Sequence, residues 1–507
     1  MGLLGISRRA VLALACIAGL ASAGLAGAAQ AQQRALSVVV GTNINTLDPH
    51  NTATFQTDMS VISHIYVALL TRAPDMSLQP LLATSWRAVD DLTWRFTLRD
   101  GVTFANGEKL DAEAVKWNFA RVLDPATNAR IRPWFSLVKE VVVISPTEIE
   151  IRTSGPFPAL PAQLSAFYLL PPQWTATHNP ANETMGAGPY EMVSFTPGDR
   201  VVMKARPGWW GGAQAFDTVT FRIIPEAGAR IAALLAGEVD YISNVPPTEF
   251  QRVNASARAR AQAVDSTRIV LIKFNLLTPP LADNVKLRRA LNAAVDREGI
   301  RDTIWGGMGT LTACQMMTPA YFGFNPDLRP PAYDPALARR LLAEAGIRPG
   351  QVTLDLEVPV GPYLLAQDVA QAVAAQIEEI GVKVRIVEME FGAFMNKYLR
   401  AQNMGQMAYL TFAWQTLDAD GILSLFEAGV QYAYWNDQTF TGLLREARTT
   451  TDPDRRRAIF KRATEYMCDQ APVLWMFTQP VTYATSNRVT WQARGDDWIR
   501  AWDFTAR

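Results

Sequence analysis

Two carboxylates, Asp418 and Asp420, stand close to Trp414 in the stretch TFAWQTLDADGILSLF (411–426), and Gly421 follows directly. Acids in that setting serve general acid–base chemistry, ligate a metal, or hold a cation against an aromatic face. A glycosidase-type pair needs both carboxyl groups on one cavity, and this spacing within a turn does not establish that. The rest of the chain offers little for catalysis. Its three histidines, His50, His64 and His178, show no metal-ligand spacing, and no HExxH, CxxC, GxSxG or GxGxxG occurs. A secreted hydrolase, the reading from a different functional class, therefore lacks a nucleophile elbow or metal motif. A purely structural role for the acids also stands: turn and cap residues before a helix ILSLFEA, with Asp420-Gly421 as the turn.

The chain has 507 residues, with 48 basic and 48 acidic side chains. It opens with paired arginines, Arg8 and Arg9, then an Ala- and Gly-rich apolar run ending at Ala29-Gln30-Ala31. That order reads as an export leader of twin-arginine type, residues 1–31, cleaved to leave a soluble periplasmic chain. Its removal takes away two arginines and no acid, so the remainder is close to neutral. No basic excess points to nucleic acid, and no later apolar run is long enough to span a bilayer. The length calls for more than one domain. Beyond the leader only Cys314 and Cys468 remain, either paired or, as the slightly favoured reading, separate buried fillers.

The elements that must position these residues alternate between strand and helix periods. Leu36–Val40 reads as a short buried strand, and LTWRFTLRDG as an alternating strand ending in a tight turn. Asp111 is placed to cap a helix carrying Val115, Phe119 and Val122 on one face. Asp283 is expected to cap a single helix in ADNVKLRRALNAAVDREGI, with Leu287, Leu291 and Ala294 or Val295 on its inner face. In YDPALARRLLAEAG, Asp334 caps, Pro335 takes the first helical position and Gly346 stops the helix. The strand QVTLDLEVPV, a helix over 364–380 and the strand VKVRIVEME form a unit that favours parallel pairing. Strands crossing at 266–275 and 473–484 are expected to join two α/β lobes as a hinge.

The stretch LQPLLATSWRAVDDLTWRFTLRDGVTFANGEKLDAEAVKWNFARVLDP (78–125) resembles the extracellular solute-binding proteins of ABC importers, in the family that includes dipeptide, oligopeptide and nickel binders. TLDP (46–49), GAGPY (186–190), AGEVDYI (236–242), FNLLTPPLADNVKLRRALNAAVDREGI (274–300) and YDPALARRLLAEAG (333–346) follow in order. The resemblance implies a periplasmic-binding-protein-like fold of type II: lobe I from 32–265 with 479–507, an extra subdomain over roughly 53–188, and lobe II from 266–478. It implies no enzyme and no cofactor. It implies a monomer that closes on a peptide or related small solute and delivers it to an ABC permease. Nickel chelate, haem, opine and oligosaccharide remain alternative cargoes. In peptide-binding relatives a Trp-x-x-Asp pattern supplies the acid for the ligand's amine. Here that spacing from Trp414 lands on Leu417, and Asp418 is one residue late. Trp414, Asp418 and Asp420 are the leading ligand candidates. His50 and Phe55, in the loop after the first strand, Tyr168, and Trp435 before a helix capped by Asn436 are further ones, each with core packing as its alternative.

Overall fold

The computed structural model describes residues 34–52, 55–361 and 363–507, with Phe55 and Gln56 described by backbone alone. The leader expected at 1–31 lies outside the described residues. Three sheets organise the rest. A seven-stranded sheet runs in the order Ala259–Val264, Val481–Ser486, Tyr241–Ser243, Ala35–Val40, Thr218–Ile223, Arg200–Ala205, Tyr190–Thr196. Its centre is parallel: Ala35–Val40 pairs in parallel with both neighbours. This strand is apolar without alternation because both its faces are covered. Leu36, Val38 and Val40 enter one core cluster and Val39 enters another on the opposite face.

A five-stranded sheet forms the second lobe, in the order Lys383–Glu390, Thr353–Val360, Met407–Phe412, Ile269–Phe274, Val473–Thr478. The expected parallel pair is present, Thr353 to Val360 against Lys383 to Glu390, joined through the helix Ala366–Glu379. The third sheet is antiparallel and four-stranded, made from Ala83–Asp90, Thr93–Leu98, Glu148–Thr153 and Val138–Ser145. The helix Ala112–Leu123 packs on it through Val115, Phe119 and Val122, and Asp111 caps that helix as expected. GAGPY packs against the end of the helix Phe55–Ile65. Gly188 N–H donates to Ile65 O at 2.8 Å, and a Cβ at Gly186 would stand 1.7 Å from that same oxygen. No side chain fits there.

Two caps differ by one residue from expectation. Asn284, not Asp283, accepts from Leu287 N–H, and Asp437, not Asn436, accepts from Phe440 N–H. The helix beginning at Val285 also stops at Ala293, and Asp296 caps a separate helix, Arg297–Ile304. The long crossing strands are each divided between the sheets. Val473–Thr478 belongs to the five-stranded sheet and Val481–Ser486 to the seven-stranded one, with Gln479-Pro480 between them. Proline cannot donate to a ladder, so the strand breaks there. The other crossing is also short, 265–268, and the two crossings are tied by Gln479 N–H to Arg268 O at 2.9 Å. Cys314 and Cys468 are bonded to each other, with Cα atoms 5.2 Å apart, so the separate-filler reading is replaced by a bridge within the second lobe. That bridge pins the irregular stretch after Ile304 to the helix Pro453–Gln470.

Candidate functional site

The strand Met407–Phe412 ends in a loop that faces the first lobe. Trp414 N–H donates to the Tyr321 hydroxyl at 2.7 Å, and Leu417 N–H closes a turn on Trp414 O at 3.1 Å. Leu417 takes a left-handed backbone (φ 51°), a conformation that costs a branched side chain about 1 kcal/mol or more. The turn ends at Asp418, which caps the helix Ala419–Leu423 by accepting from Asp420 N–H at 3.0 Å. Asp420-Gly421 thus lies inside the first helical turn rather than before it.

Asp418 is the centre of a buried ion pair. Its Oδ2 accepts from Arg456 Nη1 at 2.7 Å and its Oδ1 from Arg456 Nη2 at 2.6 Å. The guanidinium is also held between the rings of Phe322 and Phe460, at 4.9 and 4.8 Å from their centroids. An expectation that Asp418 offers a free carboxylate to a ligand's amine meets an acid already paired in both oxygens. Asp420 accepts from Arg448 Nε at 2.6 Å, and Arg448 also reaches Glu427 at 2.7 Å. Burial pushes the Asp420 carboxyl up, while Arg448 pulls it down.

The other candidates sit apart from these acids. His50 is fully buried in the first lobe and stacked on Phe167. Arg121 can only donate, so His50 Nδ1 accepts from it at 2.6 Å and Nε2–H donates to Tyr168 O at 3.0 Å. Burial holds its pKa down to about 4, against the pull of Asp48, so the ring is neutral at pH 7. With the Asp48–Arg121 pair at 2.7 Å, it clamps the loop after the first strand to the helix Ala112–Leu123. Phe55 is the first residue of the helix Phe55–Ile65. Trp435 packs on Phe440 and Tyr466, 5.0 and 6.2 Å between centroids, within the core of the second lobe. Tyr168 is buried beside Trp498 and Arg500.

Trp414 does lie where the lobes meet. Its ring is 6.3 Å from Trp134, in the short helix Arg132–Phe135 of the first lobe's subdomain. The indole covers Gly421, where a Cβ would stand 2.0 Å from Nε1. Glycine at this helix position is therefore a requirement of the tryptophan's placement. Around this contact the lobes share a polar seam. Arg72 of the first lobe donates through Nη2 to Thr416 O and through Nη1 to Met76 O at 2.7 Å. Met76 itself enters the core cluster of the second lobe. Arg494 Nη2 and Arg500 Nη1 both donate to Arg72 O, at 3.1 and 3.2 Å. Arg494 is fully buried and pairs with Asp496 at 2.7 Å and Asp503 at 3.6 Å. Arg268, in one crossing segment, pairs with Asp497 at 3.5 Å.

The sequence reading missed this seam. Its signal was QARGDDWIRAWDF (492–504), where arginine, aspartate and tryptophan recur within a few residues. So dense a mixture of charge and indole is unusual for a solvated tail, because tryptophan seeks burial and each buried charge then demands a partner. Among the described residues no group of three or more His, Cys, Asp or Glu is placed to hold a metal ion, and no helix is long and apolar enough to cross a membrane.

Comparison with known proteins agrees with this architecture. The chain is 27% identical over 498 residues to the glutathione-binding protein GsiB of Escherichia coli O1:K1, covering 93% of this chain and 94% of the relative. Among solved structures, the ABC transporter substrate-binding protein CtaP of Listeria monocytogenes superposes with a TM-score of 0.84 at 22% identity, over 93% of this chain and 99% of that one. The periplasmic binding protein DppA of Helicobacter pylori, in complex with the peptide STSA, gives 0.79 at 20% identity, over 94% and 100%. Residues 77–434 match the middle domain of family 5, and with two lobes joined by two short crossings the chain belongs to the bacterial extracellular solute-binding proteins of that family.

Proposed function

We propose that this protein captures a peptide or related small solute between its lobes in the periplasm, as a monomer, and delivers it to an ABC permease without altering it. Lobe I is taken as 32–265 with 479–507, carrying the subdomain at roughly 53–188, and lobe II as 266–478. The leader at 1–31 is the export signal removed beforehand. One observation carries the reading: Trp134 of the first lobe meets Trp414 of the second, across lobes that the chain connects through 265–268 and 479–480. Short crossings of this kind permit rotation about a hinge while restricting other motion. A ring on each side supplies contact area to cargo of variable side chains. Closure then removes water, so every charge on the cargo must find a partner at the seam.

The test uses the chain lacking residues 1–31. A matched solute raises its melting temperature and changes tryptophan emission, since Trp134 and Trp414 lie where the lobes close. The solute is recovered unchanged by mass spectrometry. Steady conversion of the solute to product, or saturable binding that Trp134→Ala and Trp414→Ala together leave unaltered, overturns the proposal.

A further inference from the structure

Between the helices Arg297–Ile304 and Pro335–Glu344 the chain runs from 305 to 334 without a helix or a strand, yet Trp305, Met316, Met317 and Tyr321 within it are buried. An irregular stretch of that length inside a folded lobe is uncommon and usually serves a site. Its middle lies against the turn that carries Trp414. Phe322 N–H donates to Leu417 O at 2.9 Å, and Ala419 N–H donates to Phe322 O at 3.0 Å. The Phe322 ring also covers Arg456, the partner of Asp418. These contacts hold the end of the turn. Its start is held by the hydroxyl of Tyr321, which accepts from Trp414 N–H at 2.7 Å.

The same hydroxyl faces the hinge. It donates to Thr267 O at 3.4 Å, in the crossing 265–268, and Thr267 N–H donates to Gly495 O at 2.8 Å in the first lobe. A chain of hydrogen bonds therefore runs from Gly495 through Thr267 and Tyr321 to the backbone of Trp414. Burial pushes the pKa of this hydroxyl well above its usual range, so it keeps the proton it donates. The turn depends on such support. Leu417 in its left-handed conformation persists only where the surroundings over-determine it. Resting on the solute-capture reading above, we infer that Tyr321 is a positioning residue, whose hydroxyl seats Trp414 for the solute and ties that seat to the hinge crossing. It acts through the indole rather than by touching the solute. A solute that meets an unseated indole must order the turn as it binds, which weakens affinity by no more than the lost bond was worth.

Calorimetric titration of a mixed tripeptide pool into the chain lacking residues 1–31 tests this as a double-mutant cycle: wild type, Tyr321→Phe, Trp414→Ala and the double variant. Phenylalanine keeps the buried ring, so only the hydroxyl is lost. Tyr321→Phe is expected to weaken binding about 3- to 10-fold in the wild-type background, the worth of one buried hydrogen bond, and not at all once Trp414 is alanine. Tyr409→Phe removes an equally buried hydroxyl of the same lobe that meets no partner among the described residues, and should leave affinity unchanged. An equal loss from Tyr321→Phe in both backgrounds shows a merely structural role and overturns the inference. Wild-type affinity in Tyr321→Phe, or the same loss in Tyr409→Phe, overturns it too. In each of those cases solute capture itself stands. Wild-type affinity in Trp414→Ala detaches the indole from the solute and removes the inference. Failure of the pool to bind wild type at millimolar concentration removes the peptide reading, and the inference with it.

Discussion

Replacing Asp418 by Asn separates a structural acid from a ligand-holding one. Asparagine keeps the oxygen that caps the helix Ala419–Leu423, so the change isolates the charge. The side chains of Arg456 and Asp418 are 3% and 6% exposed, and both carboxylate oxygens are within 2.7 Å of the guanidinium. Removing one member of such a pair leaves an uncompensated buried charge and costs about 3–5 kcal/mol. The pair ties the loop after Met407–Phe412 to the helix Pro453–Gln470, so the loss falls on the second lobe. For a unit of about 200 residues this lowers the melting temperature by on the order of 10 °C. Calorimetric melting of wild type, Asp418→Asn, Arg456→Met and the double variant gives the coupling directly. The double variant should be less destabilised than the sum of the singles by about 2 kcal/mol or more, because the second change removes the charge stranded by the first. Solute affinity of Asp418→Asn, measured well below its melting point, should change little. An unshifted melting temperature accompanied by lost affinity would refute this reasoning and return Asp418 to the ligand.

Lys273 offers a test by pH. It lies fully buried on Ile269–Phe274, donating to Tyr432 O at 2.6 Å and to Leu425 O and the Tyr398 hydroxyl at 3.1 Å, with Phe426 4.2 Å away. Burial lowers its pKa to about 7, against about 10.4 unfolded. Between those values the unfolded chain holds a proton the folded one releases, so stability rises with pH in that window and is flat below it. Urea unfolding should show wild type gaining about 3 kcal/mol over Lys273→Met between pH 7.5 and 9.5; parallel curves contradict the lysine's assignment. Gly421→Ala forces the Trp414 ring off its seat and should weaken solute binding about tenfold with little change in melting temperature; unchanged affinity detaches Trp414 from the site. The bridge between Cys314 and Cys468 closes 154 residues of chain, so Cys314→Ser with Cys468→Ser should cost up to about 5 kcal/mol in denaturant unfolding. An equal midpoint with and without the bridge overturns that estimate.

Local patterns in the sequence carried much of the architecture. Asp334, Pro335 and Gly346 bound their helix as read, because capping, a fixed φ and a left-handed stop all act within a few residues. The parallel pairing around Ala366–Glu379 followed from period alone. Adjacent polar pairs defeated the same reasoning at Asp283-Asn284 and Asn436-Asp437. Either member can cap, and the backbone angles decide: Asn284 (φ −120°) and Asp437 (φ −98°) are the ones positioned to reach the third helical N–H.

Residue types, the alternation of strand and helix, several of the helix boundaries and the presence of acids beside Trp414 were determined along the chain, since each depends on neighbours a few residues apart. Partner choice was not. Asp418 finds Arg456 38 residues away, Arg494 and Arg500 converge on the carbonyl of Arg72 more than 400 residues before them, and Cys314 finds Cys468. Only the tertiary structure settles which of several arginines reaches a given acid, because desolvation makes that choice, and desolvation depends on which surfaces the fold brings face to face.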